Sequence, residues 1–229
     1  MDEQIIKNEN TENLTELAGQ VNLAEFLESI KPFREVMMHY DCAMEEVRTK
    51  IVVLDREFET KYKRNPVENI VTRLKKPISI LRKLEFLHLP VNINNIQNGL
   101  HDIAGVRIIC SFVSDIYEIA NLLTKQDDIT LIQTKDYIKS PKPNGYRSLH
   151  LLVSVPIFLS NGKIPVCVEV QIRTEAMDSW ASVEHKIKYK KDIDNTQITK
   201  RLKSCAEKMA HIDQEMQEIN QVIENLSSI

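Results

Sequence analysis

RSLHLLVSVPIFLSNGKIPVCVEVQIR, residues 147–173, is the stretch whose reading decides the fold. It holds two apolar-rich runs, RSLHLLVSVPIF (147–158) and PVCVEVQIR (165–173), on either side of Asn161-Gly162. An Asn-Gly step suits the positive φ angles of a tight hairpin, so two antiparallel neighbouring strands are expected. In the second run apolar and polar residues alternate. Val166, Val168, Val170 and Ile172 share one face, the core face; Cys167, Glu169, Gln171 and Arg173 share the other. Neighbours on one face stand roughly 7 Å apart. Such a polar row is either an ordinary solvated face or the lining of a cleft. Folding the hairpin about 161–162 brings Ser148 and His150 to the level of Arg173.

Outward from the hairpin, VRIICSF (106–112) and ITLIQTKDYI (129–138) read as further strands, with SDIYEIANLL (114–123) as a helix between them. Before them, Phe33, Met37, Tyr40, Met44, Val47, Ile51, Leu54 and Phe58 recur at alternating spacings of four and three. That spacing predicts a long amphipathic helix, with Pro32 marking a break before it and Asn65-Pro66 ending it. Residues 67–86 are expected to form a second helix, kinked or started near Pro77. Residues 174–190 read as a helix with Thr174 as N-cap. Ile198, Leu202, Cys205, Met209, Ile212, Met216, Ile219, Ile223 and Leu226 keep a heptad seam. The seam packs either on the domain's own core or on another subunit. Two heptad-like helices flanking a small sheet favour an oligomer.

The expected fold class is therefore α+β, a mixed β-sheet flanked by helices, with long helices at both ends. Residues 1–20, rich in Asn, Glu and Thr, are expected to be a disordered tail. Residues 21–195 form the folded domain, and 196–229 the C-terminal amphipathic helix. The chain of 229 residues is 42% hydrophobic, enough for a sizeable core. Its four cysteines are widely spaced, which suits reduced thiols in a cytoplasmic protein. No apolar run approaches the roughly 18 residues that span a bilayer. A net charge of −3 gives no signature of a DNA-binding surface.

Charge is uneven, however. Lys61, Lys63, Arg64, Arg73, Lys75, Lys76, Arg82 and Lys83 face one acid, Glu68, within residues 61–83, and KIKYKK (186–191) is basic too. This is either a solvated face or a cradle for a small polyanion such as a nucleotide. Asp102, just before a strand, and Glu169, on a strand, are the kind of carboxylate pair that holds Mg²⁺ over phosphates, since that ion needs only one or two protein carboxylates. His101-Asp102 also invites an HD-type phosphohydrolase reading. That site needs further His and Asp on a helical scaffold, and here the pair precedes a strand.

Four blocks in order carry a resemblance: TRLKKPISILRK (72–83), HDIAGVRIICSF (101–112), KDYIKSPKPNGYRSLHL (135–151) and VEVQIRTEAMDSWASVEHKIKYK (168–190). Together they resemble the RelA/SpoT synthetase domain, in particular the small alarmone synthetases of bacteria and their RelP (YwaC-like) branch. The resemblance implies a nucleotidyltransferase-like fold, a homotetramer and a bacterial cytoplasmic enzyme. It implies transfer of the β,γ-pyrophosphate of ATP to the ribose 3′-OH of GDP or GTP, giving AMP and ppGpp or pppGpp. The alternative is a catalytically weak nucleotide- or RNA-binding module that retains the pocket.

By the same resemblance, Arg73 and Arg107 sandwich the adenine, and Lys75, Ser79 and Lys83, expected on one helix face, hold the ATP phosphates. Asp102 and Glu169 bind Mg²⁺, and Gln171 orients the acceptor. Tyr146 stacks on guanine and Asp178 reads its edge. Lys142, His150, Arg173, Lys188 and Lys190 are further contacts of GDP or GTP. Where many relatives have an Arg-x-Lys-Asp run, this chain has Gln133-Thr134-Lys135-Asp136.

Overall fold

The computed structural model describes residues 23–190 and 196–227. The tail expected at residues 1–20 lies outside the described residues. The chain divides into Met1–Met38 and a larger unit, His39–Ile229. The element order is α1 (Leu23–Tyr62), β1 (Val67–Leu74), α2 (Pro77–Phe86), α3 (Ile93–Gly99), β2 (Ala104–Cys110), α4 (Val113–Thr124), β3 (Thr130–Asp136), β4 (Leu149–Leu159), β5 (Gly162–Thr174), α5 (Glu175–Lys190) and α6 (Thr196–Ser227). None of the described helices is long and apolar enough to cross a membrane.

The sheet order is β1-β2-β5-β4-β3. Only β2 and β5 run parallel; the other three pairings are antiparallel, so the sheet is mixed as expected. The β4–β5 hairpin closes with Leu159 opposite Gly162, which has φ +128°. Its register sets Leu149, Leu151, Val153 and Val155 against Ile172, Val170, Val168 and Val166. All eight are buried, and each is worth about 1.5–3 kcal/mol when fully withdrawn from water. With Val106 and Ile108 of β2 they make the apolar face on which α4 packs, through Ile116, Ile119 and Leu123.

Two expectations are corrected. Helix α1 runs through Pro32 rather than breaking there. Residues 67–86 are not one helix: 67–74 form the edge strand β1, and α2 starts at Pro77, a residue suited to a first helical turn because its missing N–H costs nothing there. Ile70, Thr72 and Leu74 lie half-buried opposite Ile108, Val106 and Ala104, while Val71 and Arg73 face outward. A polar Thr on the core side and an apolar Val on the open side hide the two-residue period. Arg73, Lys75, Ser79 and Lys83 therefore do not share a helix. Only Ser79 and Lys83 lie on α2; Arg73 is on β1, and Lys75 is in the link, its backbone N–H donating to Ile103 O at 2.8 Å.

The first half of α6 packs on its own domain. Trp180 of α5, 5% exposed, donates from Nε1 to Leu202 O at 2.8 Å, and Thr174 Oγ1 donates to Asp213 Oδ2 at 2.8 Å. Trp180 is thus a core residue with its polar tip satisfied. Farther along, Ile212, Met216, Ile219, Ile223 and Leu226 are exposed.

The loop 140–148 leans on α6 at one point. Gly145 has φ +94°, and a Cβ there would stand 2.7 Å from Ala206 Cβ. Gly145→Ala is therefore expected to cost about 1–3 kcal/mol of unfolding free energy by urea titration. Combined with Ala206→Gly, the loss should be smaller than the sum of the two single losses, because the steric part is shared. A single-variant loss under about 0.5 kcal/mol would contradict this packing.

Candidate active site

The face of the sheet opposite α4 carries the polar residues in two adjacent rows. Arg73, Gly105, Glu169, Leu152 and Gln133 lie side by side across the five strands. The next row is Val71, Arg107, Gln171, His150 and Lys135. Gly105 carries no side chain, so the floor stays open between Arg73 and Glu169.

Three clefts run along this face. One of about 310 Å³ is lined by Lys83, His101, Asp102, Gln133, Lys135, His150 and Glu169, among others. The next, about 400 Å³, shares Asp102 and Glu169 with it and adds Arg73, Lys75, Gly105, Arg107 and Gln171. The third, about 390 Å³, shares Arg73, Arg107 and Gln171 with the second and reaches Tyr146, Arg173, Glu184 and His185. The shared walls make one trough with the two carboxylates in its middle.

Asp102 sits between two lysines. Lys75 Nζ donates to Oδ2 at 2.7 Å. Lys83 Nζ lies 2.6 Å from Oδ1, so each carboxylate oxygen faces one ammonium group. Burial pushes this carboxyl up, but Lys75 and Lys83 more than offset it and hold it below its ordinary value. Glu169 behaves alike. Burial raises it, while hydrogen bonds from His150 and Gln171 outweigh burial and lower it. Both groups are ionised at neutral pH. Arg107 Nε, on the wall of the same trough, is buried without a hydrogen-bond partner.

Arg173, 4% exposed, ties the loop 140–148 to this centre. Its Nη2 donates to Tyr146 Oη at 2.5 Å and to Gln171 Oε1 at 2.7 Å. Its Nη1 donates to Asp178 Oδ1 at 3.0 Å, and its Nε to Ser148 Oγ at 3.3 Å. Tyr146 Oη lies 2.7 Å from His150 Nε2, and His150 Nδ1 lies 3.3 Å from Glu169 Oε1. Gln171 Nε2 donates to Glu169 Oε2 at 2.9 Å.

The remaining residues singled out in the sequence fall at varied distances from this centre. His150 pairs with Gln171, two residues from the level of Arg173; Ser148 is the residue that meets Arg173. Asp178 Oδ1 is also 3.2 Å from Arg107 Nη1, so one of its oxygens is held by two guanidinium groups. Lys142 Nζ lies 4.9 Å from the Tyr146 ring centroid, and Arg173 Cζ lies 5.1 Å from it. A base stacked on a face that either cation covers would replace that cation. Ser79 does not line the three clefts. The side chains of Lys188 and Lys190 lie outside the described residues. Three polar residues that had no assigned role, His101, Gln133 and Lys135, line the first cleft. Gln133 could have been found from the period of β3, which puts it on the face of Lys135 and His150. Asn144 Nδ2, another residue without an assigned role, donates to Glu184 Oε1 at 3.1 Å and braces the loop against α5.

Since Asp102 has a lowered folded-state pKa, its ionisation contributes stability that is present above the unfolded value of about 4 and is lost as pH falls through the folded value. The stability of the wild type should therefore fall more steeply below about pH 4 than that of Asp102→Asn, followed by chemical unfolding. Parallel curves would show that the lysine pairs do not act on Asp102.

Residues 72–194 match the family described as the region found in RelA / SpoT proteins. The chain is 42% identical over 188 residues to GTP pyrophosphokinase YwaC of Bacillus subtilis, covering 82% of this chain and 90% of that protein. The crystal structure of B. subtilis small alarmone synthetase 2 matches with a TM-score of 0.73 at 42% identity, over 81% of this chain and 97% of that one. The structure of B. subtilis small alarmone synthetase 1 bound to its product pppGpp matches with a TM-score of 0.77 at 35% identity, over 85% and 99%. Family region, relatives and fold agree over most of the length, and the chain belongs to the RelA/SpoT family.

Proposed function

We propose that this chain is a GTP pyrophosphokinase, moving the β,γ-pyrophosphate of ATP to the 3′-oxygen of GDP or GTP. The observation that carries the reading is the middle of the trough, where two ionised carboxylates stand among four cations, Lys75, Lys83, Arg73 and Arg107. A polyphosphate donor needs that excess of cations, and the similarity to GTP pyrophosphokinases and small alarmone synthetases supports the same substrates.

In this reading Arg73 and Arg107 hold the adenine between planar guanidinium groups, which stack on a base as a lysine cannot. Lys75, Lys83 and Ser79 take the donor phosphates. Tyr146 receives the guanine, with Asp178, His150, Lys142, Lys188 and Lys190 as further acceptor contacts. Asp102 and Glu169 fit Mg²⁺: both offer hard, ionised oxygen donors, and both line the two adjoining clefts. The ion would neutralise charge on the transferred phosphoryl oxygens.

The acceptor 3′-oxygen attacks the β-phosphorus. The bond from that phosphorus to the oxygen bridging to the α-phosphate breaks, and AMP leaves with that oxygen. The hydroxyl proton is lost to water. Glu169 is a weak base, because its pKa is lowered, so its part is to accept the hydroxyl's hydrogen bond and aim it. Positioning and charge neutralisation are most of what phosphoryl-type transfer asks of a protein. Assembly as a homotetramer in the bacterial cytoplasm belongs to the same proposal; the exposed apolar residues of α6 offer a surface for it.

Incubation with ATP, GDP and Mg²⁺, followed by anion-exchange separation, should yield AMP and a guanosine product eluting after GTP. Absence of both would overturn the reading. Glu169→Gln should lower the rate by about 10²–10⁴-fold while ATP and GDP still bind; retention of a tenth of the wild-type rate would remove Glu169 from its role. Tyr146→Ala should raise KM for GDP much more than KM for ATP, and equal changes would show that the loop does not hold the acceptor.

A further inference from the structure

The hydrogen bonds around Arg173 have a direction. A guanidinium only donates. Because Arg173 Nη2 donates to Tyr146 Oη at 2.5 Å, the tyrosine's own hydrogen is free to go to His150 Nε2, 2.7 Å away. In the neutral imidazole, Nε2 then accepts and the hydrogen sits on Nδ1, from which it donates to Glu169 Oε1 at 3.3 Å. The second hydrogen on Nη2 goes to Gln171 Oε1, which turns the amide so that Nε2 meets Glu169 Oε2 at 2.9 Å. Both branches start at one nitrogen of Arg173 and end on the two oxygens of one carboxylate.

We propose that Arg173 is a positioning residue: it sets the direction of a two-branched relay, through Tyr146–His150 and through Gln171, that fixes the orientation of Glu169. This revises the sequence reading, in which Arg173 contacts the acceptor directly. Four of its five N–H groups are already committed within the protein. The relay takes one acceptor site on each Glu169 oxygen and leaves the others for ligands, since a carboxylate offers about four. It also makes Tyr146 more than a stacking surface. The tyrosine hydroxyl, not its ring, carries the connection to Glu169.

The consequence for turnover rests on the proposed pyrophosphokinase reading; the hydrogen-bond direction does not. The test therefore has two arms on the full chain. Isotope-edited NMR of the imidazole nitrogens in the substrate-free protein, with His150→Gln to assign the signal, should show His150 protonated on Nδ1 and not on Nε2. Tyr146→Phe keeps the ring and removes the hydroxyl. It removes both hydrogen bonds of the hydroxyl, from Arg173 and to His150, and should yield a mixed His150 tautomer and lower kcat by about five- to tenfold, the size set by losing the one that orients His150, with KM for GDP changed by less than about twofold. Arg173→Lys, if its melting shows it folded, should also mix the tautomers, because one ammonium cannot reproduce the fork. A wild-type His150 protonated on Nε2, or a tautomer unchanged in Tyr146→Phe, overturns the relay. So does a Tyr146→Phe variant with unaltered kcat. If the wild type makes no product at all, the pyrophosphokinase reading fails while the tautomer arm still decides the relay.

Discussion

A guanidinium at 4% exposure survives only because its N–H groups are matched, and the rest of the site is arranged around that requirement. Arg173 sits near the end of β5. From there it reaches Ser148 at the entry to β4, Tyr146 in the loop before it, Gln171 two residues back, and Asp178 one turn into α5. These partners come from three stretches of chain: the loop 140–148, β5 and α5. Removing the arginine would strand several acceptors at once, which in a buried site costs more than the bonds themselves are worth. The same demand explains why the loop 140–148 is so closely placed. Gly145 is pressed to Ala206, Asn144 is held by Glu184, and Tyr146 is held by Arg173.

The two faces of one sheet divide the labour. On the α4 side the alternation of β4 and β5 is apolar and supplies stability. On the other side the same period lines up charge and amide groups at fixed intervals. The site is thereby built mainly on strands, whose spacing the hydrogen-bond ladder keeps. The electrostatics are compensated without being cancelled. Asp102 is held by two lysines and Asp178 by two arginines, yet the buried Arg107 Nε remains without a hydrogen-bond partner.

Much of this is legible in the sequence where one physical rule acts alone. The β4–β5 hairpin follows from Asn161-Gly162 and a clean two-residue period, and it carries Glu169, Gln171 and Arg173 to the polar face. Strand β1 fails that test because Thr72 and Val71 stand on the unexpected faces, and its pairing with β2 overrides its local pattern. The basic residues of that segment are visible as a run in the sequence, but not that Lys75 and Lys83 meet Asp102, and the single helix expected for them is replaced by a strand, a link and α2. Of the Arg173 network, the hairpin fold foretells the meeting with Ser148 and the shared face of Gln171, but not the link to Tyr146. It joins Tyr146 to a residue 27 positions away, and the direction of its hydrogen bonds depends on distances that spacing does not reveal. The heptad seam of α6 served two readings: Ile198, Leu202 and Met209 lie half-buried, whereas Cys205 and the seam residues from Ile212 to Leu226 are exposed.

Following the phosphates of ATP tests the central claim most directly. With ATP radiolabelled at the γ position, GDP and Mg²⁺, the account predicts that label appears on a guanosine product; with label at the α position it stays on AMP. Release of the γ label only as inorganic phosphate or pyrophosphate, or passage of the α label to the guanosine product, would contradict it.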